Sequence, residues 1–291
     1  MIKMAIAFRG IFILSGFCWL QLPVAEENNT LAEAQSPGTF FPQSTLYPLY
    51  IADPLRPTFS LQNMRVPQTD IIDTSERRYD MKIGGHLGIY RNQEEKTARG
   101  WQITVAGGFH GQFDPASSED NVGWDGLLAI SLEIRQSDKL AHRIGLNHVS
   151  SHVGDELIER TGIKRKNYTR QEIRYGLMWF MLPHWQSYFE AGKAYDLRNK
   201  LIQKTWRTEL GFQYVNENYW KPAFGWYMGA DISAYEENDW NINTTLQLGI
   251  SSKVAGRNHR FGIEYYEGRS TLGEFFLNKE RSIGFGFWID I

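Results

Sequence analysis

Hydrophobic and polar residues alternate with period two through most of this chain. Trp101, Ile103, Val105, Gly107 and Phe109 fall on one side of such a run, and Gln102, Thr104, Ala106, Gly108 and His110 on the other. Successive side chains of an extended strand point to opposite faces, so the run predicts a strand with one apolar and one polar face. The pattern recurs in Leu128, Ile130, Leu132 and Ile134 against Ala129, Ser131, Glu133 and Arg135. It returns in Ile173, Tyr175, Leu177, Trp179 and Met181, and closes the chain in Ile283, Phe285, Phe287, Ile289 and Ile291. About eleven such runs follow residue 82, and a twelfth is expected within residues 46–62.

Alternation does not say whether the apolar face meets a core or lipid. The runs reach about ten residues, the length a tilted strand needs to cross a bilayer, whereas soluble strands average about five or six. Tryptophans gather at the expected strand ends: Trp101, Trp124, Trp185, Trp206, Trp220, Trp240 and Trp288. An indole, apolar with one polar edge, suits the membrane interface. The final aromatic strand resembles the C-terminal insertion signal of bacterial outer-membrane proteins, with Ile291 where an aromatic is usual. The expected fold is all-β, a transmembrane antiparallel β-barrel of about 12 strands. A soluble sandwich or lipocalin-like barrel is the alternative. Residues 136–139 and 183–185 read as short periplasmic turns, and residues 114–122, 152–169 and 269–280 as external loops.

The N-terminus adds an export route. Lys3 and Arg9 precede a short apolar stretch over residues 11–24, and Ala25 stands before Glu26 and Glu27. Residues 1–25 therefore read as a signal peptide, 26–45 as a flexible leader and 46–291 as the barrel. Pro23 leaves an uncleaved anchor as the alternative, and Phe17 before Cys18 argues against a lipoprotein site. Cys18 is the single cysteine of 291 residues, which excludes a disulfide framework. With 31 basic and 33 acidic residues the net charge is −2, so a nucleic-acid partner is not expected. Hydrophobic residues make up 42% and charged residues 22%, too apolar for a disordered chain. No glycine-rich phosphate loop, CxxC pair or GxSxG elbow occurs, and no cofactor is expected.

One group of residues carries candidate chemistry. In the run over residues 140–151, Ile144 and Leu146 set the lipid face, and His148 and Ser150 continue it towards the outer end. Their Cα atoms are about 6.6 Å apart with parallel side chains. An imidazole beside a hydroxyl is the geometry of a base-activated nucleophile. At the outer leaflet it meets lipid esters without drawing them from the membrane.

His148-Val149-Ser150 is similar to the His-x-Ser element of outer-membrane lipid deacylases and of the outer-membrane phospholipase, barrels with an externally facing His/Ser site. That tripeptide resemblance implies a lipid acyl-ester hydrolase, with Ser150 as nucleophile, His148 as general base and membrane lipids as partners. Those families continue with Asn, where this chain has Ser151. Glu156, Glu159, Asn167 and Gln171 are candidates for the third residue that orients the histidine, and Gln171 has the matching parity on the next strand. A broader resemblance, over residues 50–62, 148–162 and 167–176, is to a bacterial family catalogued as domain of unknown function 1207. It implies an exported bacterial protein and no established activity.

Several alternatives stay open. His148 and His152 on a strand would be about 13 Å apart, too far to share one metal. A turn at His152 would instead gather His152, Asp155 and Glu156 around a cation, although no metal site is assigned. The basic residues Lys164, Arg165, Lys166 and Arg170 are candidate lipid-phosphate ligands, or a solvated loop tip. Inward-facing Glu133, Arg135, Arg143, Glu172, Arg174, Arg207, Glu209 and Glu264 would line a charged lumen, bracing the wall or forming a narrow pore. A non-catalytic porin-like or structural surface barrel is thus the alternative function, and the oligomeric state is open.

Overall fold

The computed structural model describes residues 38–291, apart from residues 95–96, 119 and 222–223. The expected signal peptide and most of the leader lie outside the described residues. After a two-residue strand, β1 (Thr39–Phe40), come twelve long ones. They are β2 (Phe59–Thr69), β3 (Arg77–Gln93), β4 (Gly100–Asp114), β5 (Asp120–Ser137), β6 (Leu140–Val153) and β7 (Thr169–Leu182). Then follow β8 (Trp185–Leu197), β9 (Trp206–Lys221), β10 (Phe224–Tyr235), β11 (Ile242–Val254), β12 (Arg257–Arg269) and β13 (Lys279–Ile289). Each pairs antiparallel with its chain neighbour, and β13 pairs with β2, so β2 to β13 close into a twelve-strand barrel. Closure satisfies every strand edge, which is what allows a sheet to stand in lipid.

The wall is inverted relative to a soluble protein. Leu128, Leu248 and Phe285 are 63%, 60% and 62% exposed on its outer surface, while Gln102, Glu133, Glu172 and Arg207 are buried on its inner one. An apolar band outside and a polar interior define a membrane barrel and replace the soluble alternative. Trp101 and Trp185 open their strands at the end with two-residue turns (138–139, 183–184 and 255–256). Trp206 and Trp240 lie at the other end, with the longer loops. Trp288 departs from the expected girdle: it has inward parity and is 1% exposed, with Arg260 over its ring. The first of the three expected external loops is also shorter than its sequence suggests, because β4 and β5 extend to leave only residues 115–119 between them.

The twelfth strand lies at residues 59–69 rather than within 46–62, and the reason is visible in the chain. Leu46 and Tyr47, then Tyr50, Ile51 and Ala52, are buried in succession instead of alternately. Pro48, Pro54 and Pro57 lack the N–H that a ladder requires. This segment runs inside the barrel. The Leu46 and Tyr47 amides donate to Glu133 (3.0 and 3.1 Å), the Ile51 amide to Gln213 (2.9 Å), and Lys82 Nζ to the Pro54 carbonyl (2.6 Å). The Tyr50 ring stacks on Tyr188 with centroids 3.7 Å apart. Gly176 and Gly229 make room, since a Cβ at either would lie 2.6–2.7 Å from Tyr47 or Ile51.

Charge braces the lumen as expected. Arg143 meets Glu190 at 2.7 Å, Arg170 meets Glu172 at 2.7 Å, and Arg207 meets Glu190 at 3.4 Å. Arg174 also pairs with Glu172, and Arg207 with Glu209. At the long-loop end, residues 270–278 fold in: Gly273 N donates to Asp125 (3.1 Å) and Glu274 N to Ser151 Oγ (2.8 Å). The helix α1 (Asp155–Thr161) buries Leu157 against Ile71, Leu272 and Phe275 over the same mouth. Lumen cavities of about 60, 70 and 20 Å³ lie between these elements, room for a handful of waters.

Candidate outward-facing site on strand β6

Parity on β6 decides which side chains meet lipid. Ile144 and Leu146, each 48% exposed, point outward, and His148, Ser150 and His152 continue the same face. On β7 the direct partner of His148 is Gln171, and that of Ser150 is Thr169. On the other side His148 faces Leu128, and Ser150 faces Gly126. A Cβ at Gly126 would stand 3.3 Å from Ser150 Oγ, so the glycine keeps that hydroxyl uncrowded. His148, Ser150 and Gln171 thus share one patch of the outer wall, near the long-loop end. Among the described residues no hydrogen bond joins the three.

Gln171 is held from its far side. Its Nε2 donates to Asp196 Oδ2 at 3.0 Å, and the Tyr195 hydroxyl donates to its Oε1 at 3.3 Å. Sequence reasoning missed Tyr195 and Asp196. A bulge in the β7–β8 pairing, where Gln171 pairs with Asp196 and Glu172 with Ala194, leaves the consecutive Tyr195 and Asp196 both exposed, which strict alternation forbids. Ser151, by contrast, faces inward, and its hydroxyl donates to Asp125.

The basic residues divide. Lys164 and Arg165 are exposed in the loop that follows α1, and Arg165 donates to His152 Nδ1 at 2.6 Å. The His152 ring stacks on Trp124, with centroids 4.1 Å apart. Lys166 turns back, its Nζ donating to the Glu274 carbonyl at 3.1 Å, and burial there lowers its pKa. Arg170 does not face the membrane. It is 2% exposed in the lumen, where it donates to Glu172 and to the Lys204 and Thr205 carbonyls (2.7 Å each). Its position beside outward Gln171 gives it the opposite parity. Asp155 and Glu156 begin α1, and among the described residues no group of three or more His, Cys, Asp and Glu side chains is placed to hold a metal.

A family model described as "Protein of unknown function (DUF1207)" matches residues 23–290. No curated protein matches the sequence. Among solved structures, outer membrane phospholipase A from Escherichia coli is similar, with a TM-score of 0.55 and 11% identity over 80% of this chain and 90% of that one. The Salmonella typhi outer membrane phospholipase dimer with bound calcium gives 0.58 and 10% over the same shares. The KdgM porin gives 0.44 and 8%, over 80% of this chain and 99% of that one. At these identities the likeness to the two phospholipases is one of fold.

Proposed function

Since this chain belongs to the DUF1207 family and is an outer-membrane β-barrel, we propose that it hydrolyses acyl esters of lipids in the outer leaflet, at His148 and Ser150. The observation that carries this reading is their position: neighbours on the outward face of β6, beside Gln171, where the wall meets the long loops. In the first half-reaction Ser150 Oγ attacks the ester carbonyl carbon while His148 takes the hydroxyl proton. The tetrahedral adduct collapses, the acyl chain stays on Ser150, and His148 returns the proton to the departing lyso-lipid alcohol. Water, deprotonated by His148, then attacks the acyl carbonyl; the bond to Ser150 Oγ breaks, His148 returns the proton to that oxygen, and the fatty acid leaves. Gln171 is the positioning residue, its amide oriented by Asp196 and Tyr195. Lys164 and Arg165 supply charge for the lipid phosphate. The similarity in fold to proteins named phospholipases supports a lipid-directed reaction on such a wall. Lipid analysis of cells expressing the wild type or Ser150→Ala tests it.

A solute channel is the second reading, favoured by the charged lumen. The threaded segment around Tyr47 and Ile51 and the infolded loop at Gly273 weigh against it. Vesicles containing the protein are expected to swell in a monosaccharide solution no faster than empty vesicles. Swelling at rates typical of porin-containing vesicles would move the function to transport.

A further inference from the structure

The lipid-facing wall holds a groove of about 520 Å³ over β7, β8 and β9, one row deeper than Gln171. Its floor is Ala191, whose cross-strand partners are Tyr175 and Thr208. Ile173 and Tyr175 form one side, and Tyr195 and Trp206 stand at the upper end. Along β8, Phe189 and Lys193 flank Ala191 on the same face. Ala191, small between Phe189 and Lys193 on its own strand and beside Thr208 on the next, makes the dip.

Among the described residues, Lys193 is the only charge lining this groove. It is exposed, pairs across the ladder with Ile173 and Trp206, and places Nζ 5.0 Å from the centre of the Trp206 ring. Among the described residues it has no carboxylate partner. Trp206 is the first residue of β9, at the long-loop end, so Lys193 lies at the outer interface. A lysine on a lipid-facing wall is tolerated there, where headgroups supply the counter-charge. We propose that this groove is a binding site for an anionic glycerophospholipid, one acyl chain lying over Ala191 and the phosphate on Lys193 beside Trp206. One ammonium matches one phosphodiester, whereas a multiply phosphorylated glycolipid would call for more cations than the groove has. The site is separate from the loop residues Lys164 and Arg165, and it does not depend on hydrolysis at Ser150.

A built-in comparison exists across the barrel. A groove of about 710 Å³ around Leu61, Met81 and Phe285 faces lipid without an outward cation. The test uses full-length Ser150→Ala protein, so that hydrolysis cannot consume the probe, with folding checked by the heat-dependent gel shift. Detergent-purified, delipidated protein is titrated with phosphatidylglycerol or phosphatidylcholine and read by native mass spectrometry. One phosphatidylglycerol is expected to be held in preference. Lys193→Gln should bring it down to the phosphatidylcholine level, about tenfold weaker. Ala191→Phe, which fills the floor, should weaken both lipids, and Met81→Phe in the comparison groove should change neither. Equal retention of the two lipids, undiminished phosphatidylglycerol binding by Lys193→Gln, or its displacement by a phosphorylated glycolipid at equal concentration would each overturn the proposal.

Discussion

Cells expressing Ser150→Ala are expected to show no lyso-phospholipid or deacylated glycolipid above the vector level, while the wild type accumulates one of them. Loss of a nucleophile removes the covalent path altogether, so kcat should fall by about a thousandfold or more. Ser151→Ala supplies the decisive contrast. Ser150 and Ser151 are adjacent in the chain, but Ser150 lies on the lipid face and Ser151 is 2% exposed in the lumen, bonded to Asp125 and the Glu274 amide. The Ser151→Ala protein should therefore keep its activity, losing only some anchorage of the loop that closes the mouth. Lipid profiles identical for wild type and Ser150→Ala, with both proteins heat-shifted on gels, would sink the hydrolase reading in that host. Activity lost in Ser151→Ala and kept in Ser150→Ala would move the chemistry into the lumen.

Removing the Glu172 carboxylate is expected to cost about 3–5 kcal/mol of folding stability, the range for breaking a buried pair and leaving its partner charged. Glu172 is 1% exposed and stands among Arg170, Arg174 and Arg207, the last 3.6 Å away. Glu172→Leu strips that charge from three guanidinium groups around a buried position. Glu172→Gln, which retains an acceptor, should fall between it and the wild type. Urea unfolding in lipid vesicles, followed by tryptophan emission, measures both. A loss below about 1 kcal/mol for Glu172→Leu would mean that the lumen is wet enough to screen these charges, as at an exposed pair. The same wetness would strengthen the channel reading, so the experiment bears on function too.

Much of the fold was legible along the chain because a barrel wall is a local pattern. Ile144 and Leu146 announce the lipid face, and Glu133 and Glu172 the inner one, since the period of two is set by backbone geometry alone. The alternation between short turns and long loops likewise gave the even strand count. The pattern failed where a residue's neighbours come from distant parts of the chain. Residues 46–58 have buried apolar residues and resemble wall, yet both sides of the chain there are covered by the barrel interior, as Tyr50 on Tyr188 and Ile51 at Gln213 show. Trp288 was placed with the girdle by its nearness to a strand end, although its parity points inward to Arg260.

The candidate site divides along the same line. Alternation placed His148 and Ser150 on one face and gave Gln171 the matching parity on the next strand, since strand periodicity links residues two apart and ladder pairing links neighbouring strands. It could not reveal that Tyr195 and Asp196 both hold Gln171, because a bulge breaks the alternation and leaves no mark in composition. The parity that turns Gln171 outward turns Arg170 inward, but its partners there could not be read from alternation, as Glu237, Lys204 and Thr205 are more than thirty residues away. The sequence by itself determined the barrel, its inside and outside, and the outward placement of His148 and Ser150, because these follow from local periodicity and from the cost of bare polar backbone in lipid. Only the tertiary structure decided what fills the lumen, what closes its mouth and which cations remain free to meet a lipid, because those depend on ring closure bringing distant side chains into one small volume.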